Sequence, residues 1–308
     1  MRRLLDTEGL VAGIETGGTK VHVAVGRTPQ DIQLFERLDT TTPQETLGRV
    51  RDLLEPLVDQ LTGVGVASFG PLDLDPASAG YGSITQTPKP HWSNVPMRAI
   101  FQESLRVPTA ITTDVNGAAY GEYIWGAGVG ADPLIYLTVG TGIGGGAVVK
   151  GQPFVGLLHA EMGHMRVKRH PDDQAFPGTC PFHGDCLEGL ASGPAMQMRW
   201  NHPVEQLPAD HRAWDVEAFY LAQAIVSITY IISPRRFVLG GGVGARPDLH
   251  VRVRQQMETL LGGYQDSPAM ADGLDAYLVQ PGLGTRSGVC GAMALGHVAR
   301  NRAETETP

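Results

Sequence analysis

Glycine constrains this chain more than any other residue: 40 of its 308 residues are glycine, close to twice the usual share of about 7%. The glycines fall in discrete clusters without a period, which excludes collagen-like and low-complexity chains. Clustered glycine between apolar runs marks tight turns and close backbone approach. One form occurs twice. Leu10-Val11-Ala12-Gly13-Ile14 has the apolar, β-branched character of a buried strand, Thr16-Gly17-Gly18-Thr19 is a turn signal, and Val21-His22-Val23-Ala24-Val25 is a second strand. Leu134 to Val139, Gly140 to Gly146 and Ala147-Val148-Val149 repeat that order. Two glycine hairpins on facing lobes are suited to hold a polyphosphate between them.

A chain of 308 residues exceeds one domain of about 100–200 residues, so two domains are expected. No low-complexity linker separates them, which predicts a tight interface. An apolar share of 42% is enough for a sizeable core and excludes a disordered chain. Twenty-four basic against 32 acidic residues give a net charge of −8, which argues against nucleic acid as a main partner. A small anion is not excluded, because backbone amides can hold one. No apolar run reaches the roughly 18 residues of a membrane span. In Met1-Arg2-Arg3-Leu4-Leu5-Asp6 an acidic residue precedes any apolar stretch, so the cytoplasm is the expected location.

Other elements follow from period and punctuation. A helix is predicted from Thr42 with Leu47, Val50, Leu53, Leu54 and Leu57 on one face. Val64 to Ala67 is a short strand, and Ser68 to Trp92 is a long loop of the kind that is usually functional. Thr109 to Thr113 is a strand that hands over to a helix at Asp114. Trp214 to Ile232 is helical, Arg236 to Leu239 is a strand running into Gly240-Gly241-Gly242, and Gly288 to Ala299 forms a closing helix. The class is α/β.

Two familiar glycine motifs fail here. In Gly13 to Lys20 a threonine separates the last glycine from the lysine, and a β run follows where a P-loop has a helix. Gly140-Thr141-Gly142-Ile143-Gly144-Gly145 fits the dinucleotide fingerprint in letters, but strand again follows where that motif opens a helix. Asp114 stands where open α/β sheets place ligands, and a carboxylate there can accept a hydroxyl proton. Asp is equally a preferred helix N-cap, and the residues alone leave both roles open. Cys180-Pro181-Phe182-His183-Gly184-Asp185-Cys186 sets three candidate metal ligands, two cysteines and a histidine, at three-residue steps. His164 would complete a Cys₂His₂ zinc set, with His159 and His170 as rival fourth ligands. Cys290 lies in an apolar helix and is expected to be a core thiol.

Taken in order, Ile14-Glu15-Thr16-Gly17-Gly18-Thr19-Lys20, the Asp114 strand end, Leu137 to Gly146, Glu161-Met162-Gly163-His164, the cysteine loop with Leu187-Glu188-Gly189, and Val238 to Gly242 resemble the ROK family (repressors, open reading frames and kinases) of sugar kinases. Thr87-Pro88-Lys89-Pro90-His91-Trp92 and the cysteine loop are most similar to its bacterial zinc-containing fructokinase branch.

The resemblance implies two actin-like, ribonuclease-H-like ATPase domains with an interdomain active-site cleft. The small domain would comprise residues 1–114 with the C-terminal helix 289–305, and the large domain residues 115–288. It implies ATP- and Mg²⁺-dependent phosphorylation of a hexose, foremost D-fructose to D-fructose 6-phosphate, with Asp114 as general base. ATP phosphates would lie against Gly17, Gly18, Thr19, Lys20, Gly140, Thr141, Gly142 and Gly144, with adenosine near Gly240, Gly241 and Gly242. Glu161, His164, Glu188, Lys89 and Trp92 would serve the sugar. Zn²⁺ on His164, Cys180, His183 and Cys186 would hold the loop, and a homodimer is the family's expectation. A kinase for mannose, glucose or an N-acetylhexosamine, or a non-catalytic sugar-binding regulator, are the alternatives. Three positions depart from the commoner pattern: Glu15 replaces aspartate, Thr113 replaces the asparagine of many glucokinases, and His183 replaces a third cysteine. With the first strand expected near Leu10, no helix-turn-helix extension of the repressor kind is expected.

Overall fold

The computed structural model describes residues 5–264, 270 and 274–306. Two five-stranded mixed sheets form the frame. The first contains β1 (Leu10–Thr16), β2 (Lys20–Gly26), β3 (Ile32–Asp39), β4 (Leu61–Ser68) and β5 (Thr109–Thr113), in the order β3-β2-β1-β4-β5. The second contains β6 (Leu134–Val139), β7 (Ile143–Val149), β8 (Gln152–Pro153), β9 (Arg236–Gly240) and β10 (Leu278–Val279), in the order β10-β9-β6-β7-β8. Each is built on one antiparallel hairpin, β1/β2 or β6/β7, whose first strand then pairs in parallel with a later one, β4 or β9. The duplicated hairpin is therefore the organising unit of both halves.

Among the described residues the α-helices are α1 (Pro43–Leu54), α2 (Met97–Leu105), α3 (Asp114–Trp125), α4 (Leu187–Ala191), α5 (Gly193–Trp200), α6 (Ala213–Ile232), α7 (Gly241–Gly244), α8 (Pro247–Leu261) and the closing helix (Ser287–Glu306). Thr42 caps α1 through the Glu45 N–H, as its sequence suggests. The short α2, the edge strand β3 and α8 lie outside the elements expected from sequence. β3 exposes most of its residues and so carries a weak apolar signal. The helix α6 is the one described helix long and apolar enough to cross a membrane, yet it lies in the core of the second half, in one cluster with Leu190, Val253, Met257 and Tyr277.

Much of the glycine excess goes into packing rather than into turns. The closing helix lies directly on β1, β4 and α3. A Cβ added at Gly65 would stand 1.8 Å from the Ala292 carbonyl oxygen, and one at Gly63 would stand 2.2 Å from that of Gly296. Between the helices, a Cβ at Gly291 would lie 1.7 Å from the Gly117 carbonyl oxygen, and one at Gly121 would lie 2.4 Å from that of Ser287. These contacts leave no room for any side chain, so α3 and the closing helix form a close-packed layer between the sheets.

Candidate active site

The turn from β5 into α3 builds the centre of the site. The Thr113 hydroxyl accepts the Asn116 N–H at 3.2 Å and caps the helix. Asp114 is therefore not the cap: it is the first helical residue, and its Oδ1 accepts the N–H of Val115 at 2.9 Å. The buried amide of Asn116 donates to the Phe154 carbonyl at 3.0 Å and accepts the Ala147 N–H at 3.1 Å, which pins this helix start to β7. The Asp114 carboxylate borders two cavities at once. One, of about 590 Å³, is lined by Glu15, Tyr136, Thr138, Gly241, Gly242 and Ser287 among others. The other, of about 510 Å³, runs along Gly140 to Gly145 and past His159, Glu161, His164 and Glu188. Burial pushes the Asp114 carboxyl up to about 7, and the neighbouring charges of Glu15 and Glu161 push the same way.

The cleft is rich in carboxylates and poor in cations. Among the described residues, the second cavity has neither lysine nor arginine in its lining. The first has, among the described residues, only Arg246, whose guanidinium is held by Asp248 at 2.9 Å and lies 4.1 Å over the Trp214 ring. An anionic ligand here has to be met by backbone N–H groups and by a cation it brings with it.

At the rim of the second cavity, one ligand atom from each of His164, Cys180, His183 and Cys186 lies within 4.8 Å of the others. The Cys186 Sγ is 3.5 Å from His164 Nδ1, and the Cys180 Sγ is 3.7 Å from His183 Nδ1. Separations of that size suit a tetrahedron with bonds of about 2.0–2.3 Å to a central ion. The rival ligands are engaged elsewhere. His159 Nε2 accepts the Leu72 N–H at 3.2 Å, and His170 Nδ1 accepts the Asp172 N–H at 3.2 Å.

The ROK family profile matches residues 11–299 of this chain. A fructokinase of Zymomonas mobilis is 44% identical over 295 residues, covering 94% of this chain and 97% of that one. The chain belongs to the ROK family. A fructokinase of Streptococcus mutans is 39% identical over 294 residues, covering 94% and 96% of the two chains. Among solved structures, a ROK hexokinase from Thermus thermophilus matches 95% of this chain and 99% of its own, with a TM-score of 0.76 at 25% identity. The two hairpin-built sheets are thus the actin-like ATPase arrangement of ROK hexokinases.

The ROK motifs converge only in part. Asp114, Glu161, His164, Glu188, Gly140, Thr141, Gly142 and Gly144 share the second cavity's lining, with Gly241 and Gly242 in the first. Gly241 has φ +87°, where a Cβ would also meet the Val139 carbonyl at 2.3 Å. Gly240 lies under the Tyr136 ring, its added Cβ 2.4 Å from the hydroxyl. Glu188 does more than face the cavity, since its Oε2 accepts the Ile143 N–H at 3.0 Å and so braces the second hairpin. Gly17, Gly18, Thr19 and Lys20 line neither cavity. The Gly17 carbonyl accepts the Thr40 hydroxyl at 2.9 Å, and the Lys20 ammonium pairs with Asp39. Lys89 and Trp92 also line neither. The Lys89 ammonium is bound to the Gly18 carbonyl. Trp92 is fully buried, edge-on to Phe69, with its indole N–H on the Thr41 carbonyl at 2.8 Å, so a sugar cannot touch it.

The variant residue Glu15 is paired with His22 Nδ1 at 3.1 Å and faces the first cavity. Sequence reasoning passed over Tyr136 and Thr138, which looked like plain strand residues inside an apolar run. It also passed over Asn116, whose partners are remote in sequence.

Proposed function

We propose that this ROK protein is an ATP-dependent fructokinase, which transfers the γ-phosphoryl group of ATP to D-fructose and yields D-fructose 6-phosphate. The observation that carries the reading is the Asp114 carboxylate at the common edge of two cavities, with about 40% identity to fructokinases behind it. ATP is assigned to the cavity of Gly241 and Gly242 with its phosphates toward the second glycine hairpin. The sugar is assigned to the cavity of Glu161, His164 and Glu188. Phosphoryl transfer asks for in-line positioning and charge neutralisation more than for covalent help. Asp114 takes the proton of the attacking hydroxyl, the Asn116 amide fixes the helix start that carries it, and closing the lobes would exclude water as a competing acceptor.

Mg²⁺ would neutralise the phosphates, and the scarcity of lysine and arginine among the described residues that line the two cavities makes that need acute. His164, Cys180, His183 and Cys186 would hold one Zn²⁺, whose four positions are then all filled by protein. That makes it a structural ion fixing the loop between Glu161 and Glu188, with no open position for substrate. A homodimer belongs to the same reading. The test is ADP release against fructose, mannose, glucose and N-acetylhexosamines, with and without Mg²⁺. Turnover that is highest on fructose and lost without Mg²⁺ supports the assignment; a higher kcat/KM on another hexose, or none on any, overturns it.

A further inference from the structure

Glu122 is a buried carboxylate with no part in the chemistry above. It sits two turns beyond Asp114 on α3 and is fully buried. Its two oxygens accept four donors: the N–H of Ala127 at 2.7 Å, of Gly282 at 2.9 Å and of Leu283 at 3.0 Å, and the Ser287 hydroxyl at 2.6 Å. No described lysine or arginine forms an ion pair with it. All four donors are neutral, so the carboxylate's role is geometric, tying two segments together at fixed distance.

Three of those donors come from the short segment that leads from β10 of the second sheet into the closing helix, which packs on the first sheet. The same segment is a wall of the first cavity, through Gln280, Pro281, Gly284, Thr285, Ser287 and Gly288. Tyr136 lines another wall of the same cavity. Each carboxylate oxygen takes a pair of donors: Oε1 holds Leu283 and Ser287, and Oε2 holds Ala127 and Gly282. A shorter or neutral side chain cannot keep both pairs. We infer that Glu122 is a positioning residue for the nucleotide, latching the Gly282–Ser287 wall of its cavity to the helix that presents Asp114. The inference rests on the assignment of ATP to that cavity.

Two substitutions separate the latch from the assignment. Glu122→Gln is nearly isosteric but turns an amide N–H₂ toward one pair of donors. It is expected to raise the KM for ATP about tenfold or more while the KM for fructose stays within twofold, the loss of one buried charge-assisted pair being worth at least that factor. Ser287→Ala removes the hydroxyl bridge to Glu122 together with the 3.0 Å contact to the Gly284 carbonyl, leaves the other three donors in place, and is expected to raise the ATP KM about threefold, a fraction of that loss. It also keeps the test alive if Glu122→Gln fails to fold. Glu217→Gln alters a buried carboxylate that lines neither cavity and is expected to leave both KM values unchanged. Gly242→Val probes the assignment itself: a Cβ at Gly242 meets no atom within 4 Å, so the fold tolerates it while the cavity fills. If Gly242→Val leaves the ATP KM unchanged, the cavity assignment is wrong. If Gly242→Val raises it but Glu122→Gln and Ser287→Ala lower only thermal stability, or raise both KM values equally, the latch is refuted and the assignment stands.

Discussion

Asp114→Asn keeps the side chain's size and its acceptor bond to the Val115 N–H while removing its capacity to take a proton. A positioned general base contributes about 10²–10⁴ in rate, so kcat should fall by that factor, with the KM for fructose within a few-fold of the parent. The structure adds a pH signature. Burial, reinforced by Glu15 and Glu161, lifts the folded-state value from 3.8 to about 7. The base works only when deprotonated, so kcat/KM of the parent should be flat above about pH 7 and fall tenfold per unit below it, to about a tenth of the plateau at pH 6. The asparagine variant should lack this limb. Stability should move the other way. A carboxyl raised on folding makes the folded state the better proton binder, so stability declines as pH rises from 3.8 to about 7 and stays reduced above it. Asp114→Asn should therefore melt higher than the parent at pH 8, with a smaller gain at pH 5. A coupled ADP assay from pH 5.5 to 8.5, alongside melting curves at both pH values, reads all of this. Near-parental turnover, or an acid limb that survives the substitution, would refute Asp114 as the base and burial as the source of its shift.

Gly18→Ala adds a Cβ that meets no atom within 4 Å, so an unchanged melting temperature with a raised ATP KM is expected if phosphates approach the first hairpin; an unchanged KM removes that hairpin from the site. Gly142→Ala drives a Cβ to 2.7 Å from the Glu188 carboxylate, so it should lower both the melting temperature and activity, and kinetics with melting curves check it. Metal analysis should find one zinc per chain, lost in Cys180→Ser and Cys186→Ser, with the fructose KM rising before the ATP KM; full fructose kinetics in metal-free protein would sink the structural role. Among the described residues both Glu217 carboxylate oxygens are buried without a hydrogen-bond partner, and burial pushes its carboxyl well above 4.5. Its folded form therefore holds a proton that the unfolded chain releases, which costs stability as pH rises above 4.5, and Glu217→Gln should flatten the melting-temperature profile toward pH 8.

Local chemistry explains what could be read before any coordinates. Turn glycines, strand period, the Thr42 cap and the Cys180–Cys186 spacing are short-range signals, and they yielded the duplicated hairpin, the α/β class and the metal-ligand set. His164 was harder to place, because three histidines had suitable chemistry; the hydrogen bonds of His159 and His170 to backbone N–H groups remove the rivals. Asp114 is legible as a strand-end carboxylate, but its release from capping depends on the Thr113 rotamer, and its raised pKa depends first on burial and then on the charges of Glu15 and Glu161, all of which the tertiary structure sets. Trp92 and Lys89 enter the sugar site only through the resemblance of Thr87 to Trp92 to the fructokinase branch, and packing sends one into the core and the other to the Gly18 carbonyl. The glycines of α3, β4 and the closing helix carry no local mark of their purpose, since a glycine needed for backbone contact looks the same in sequence as one needed for a turn. Glu122 is the extreme case: its donors lie up to 165 residues away, and a buried carboxylate's function is defined by the groups that surround it.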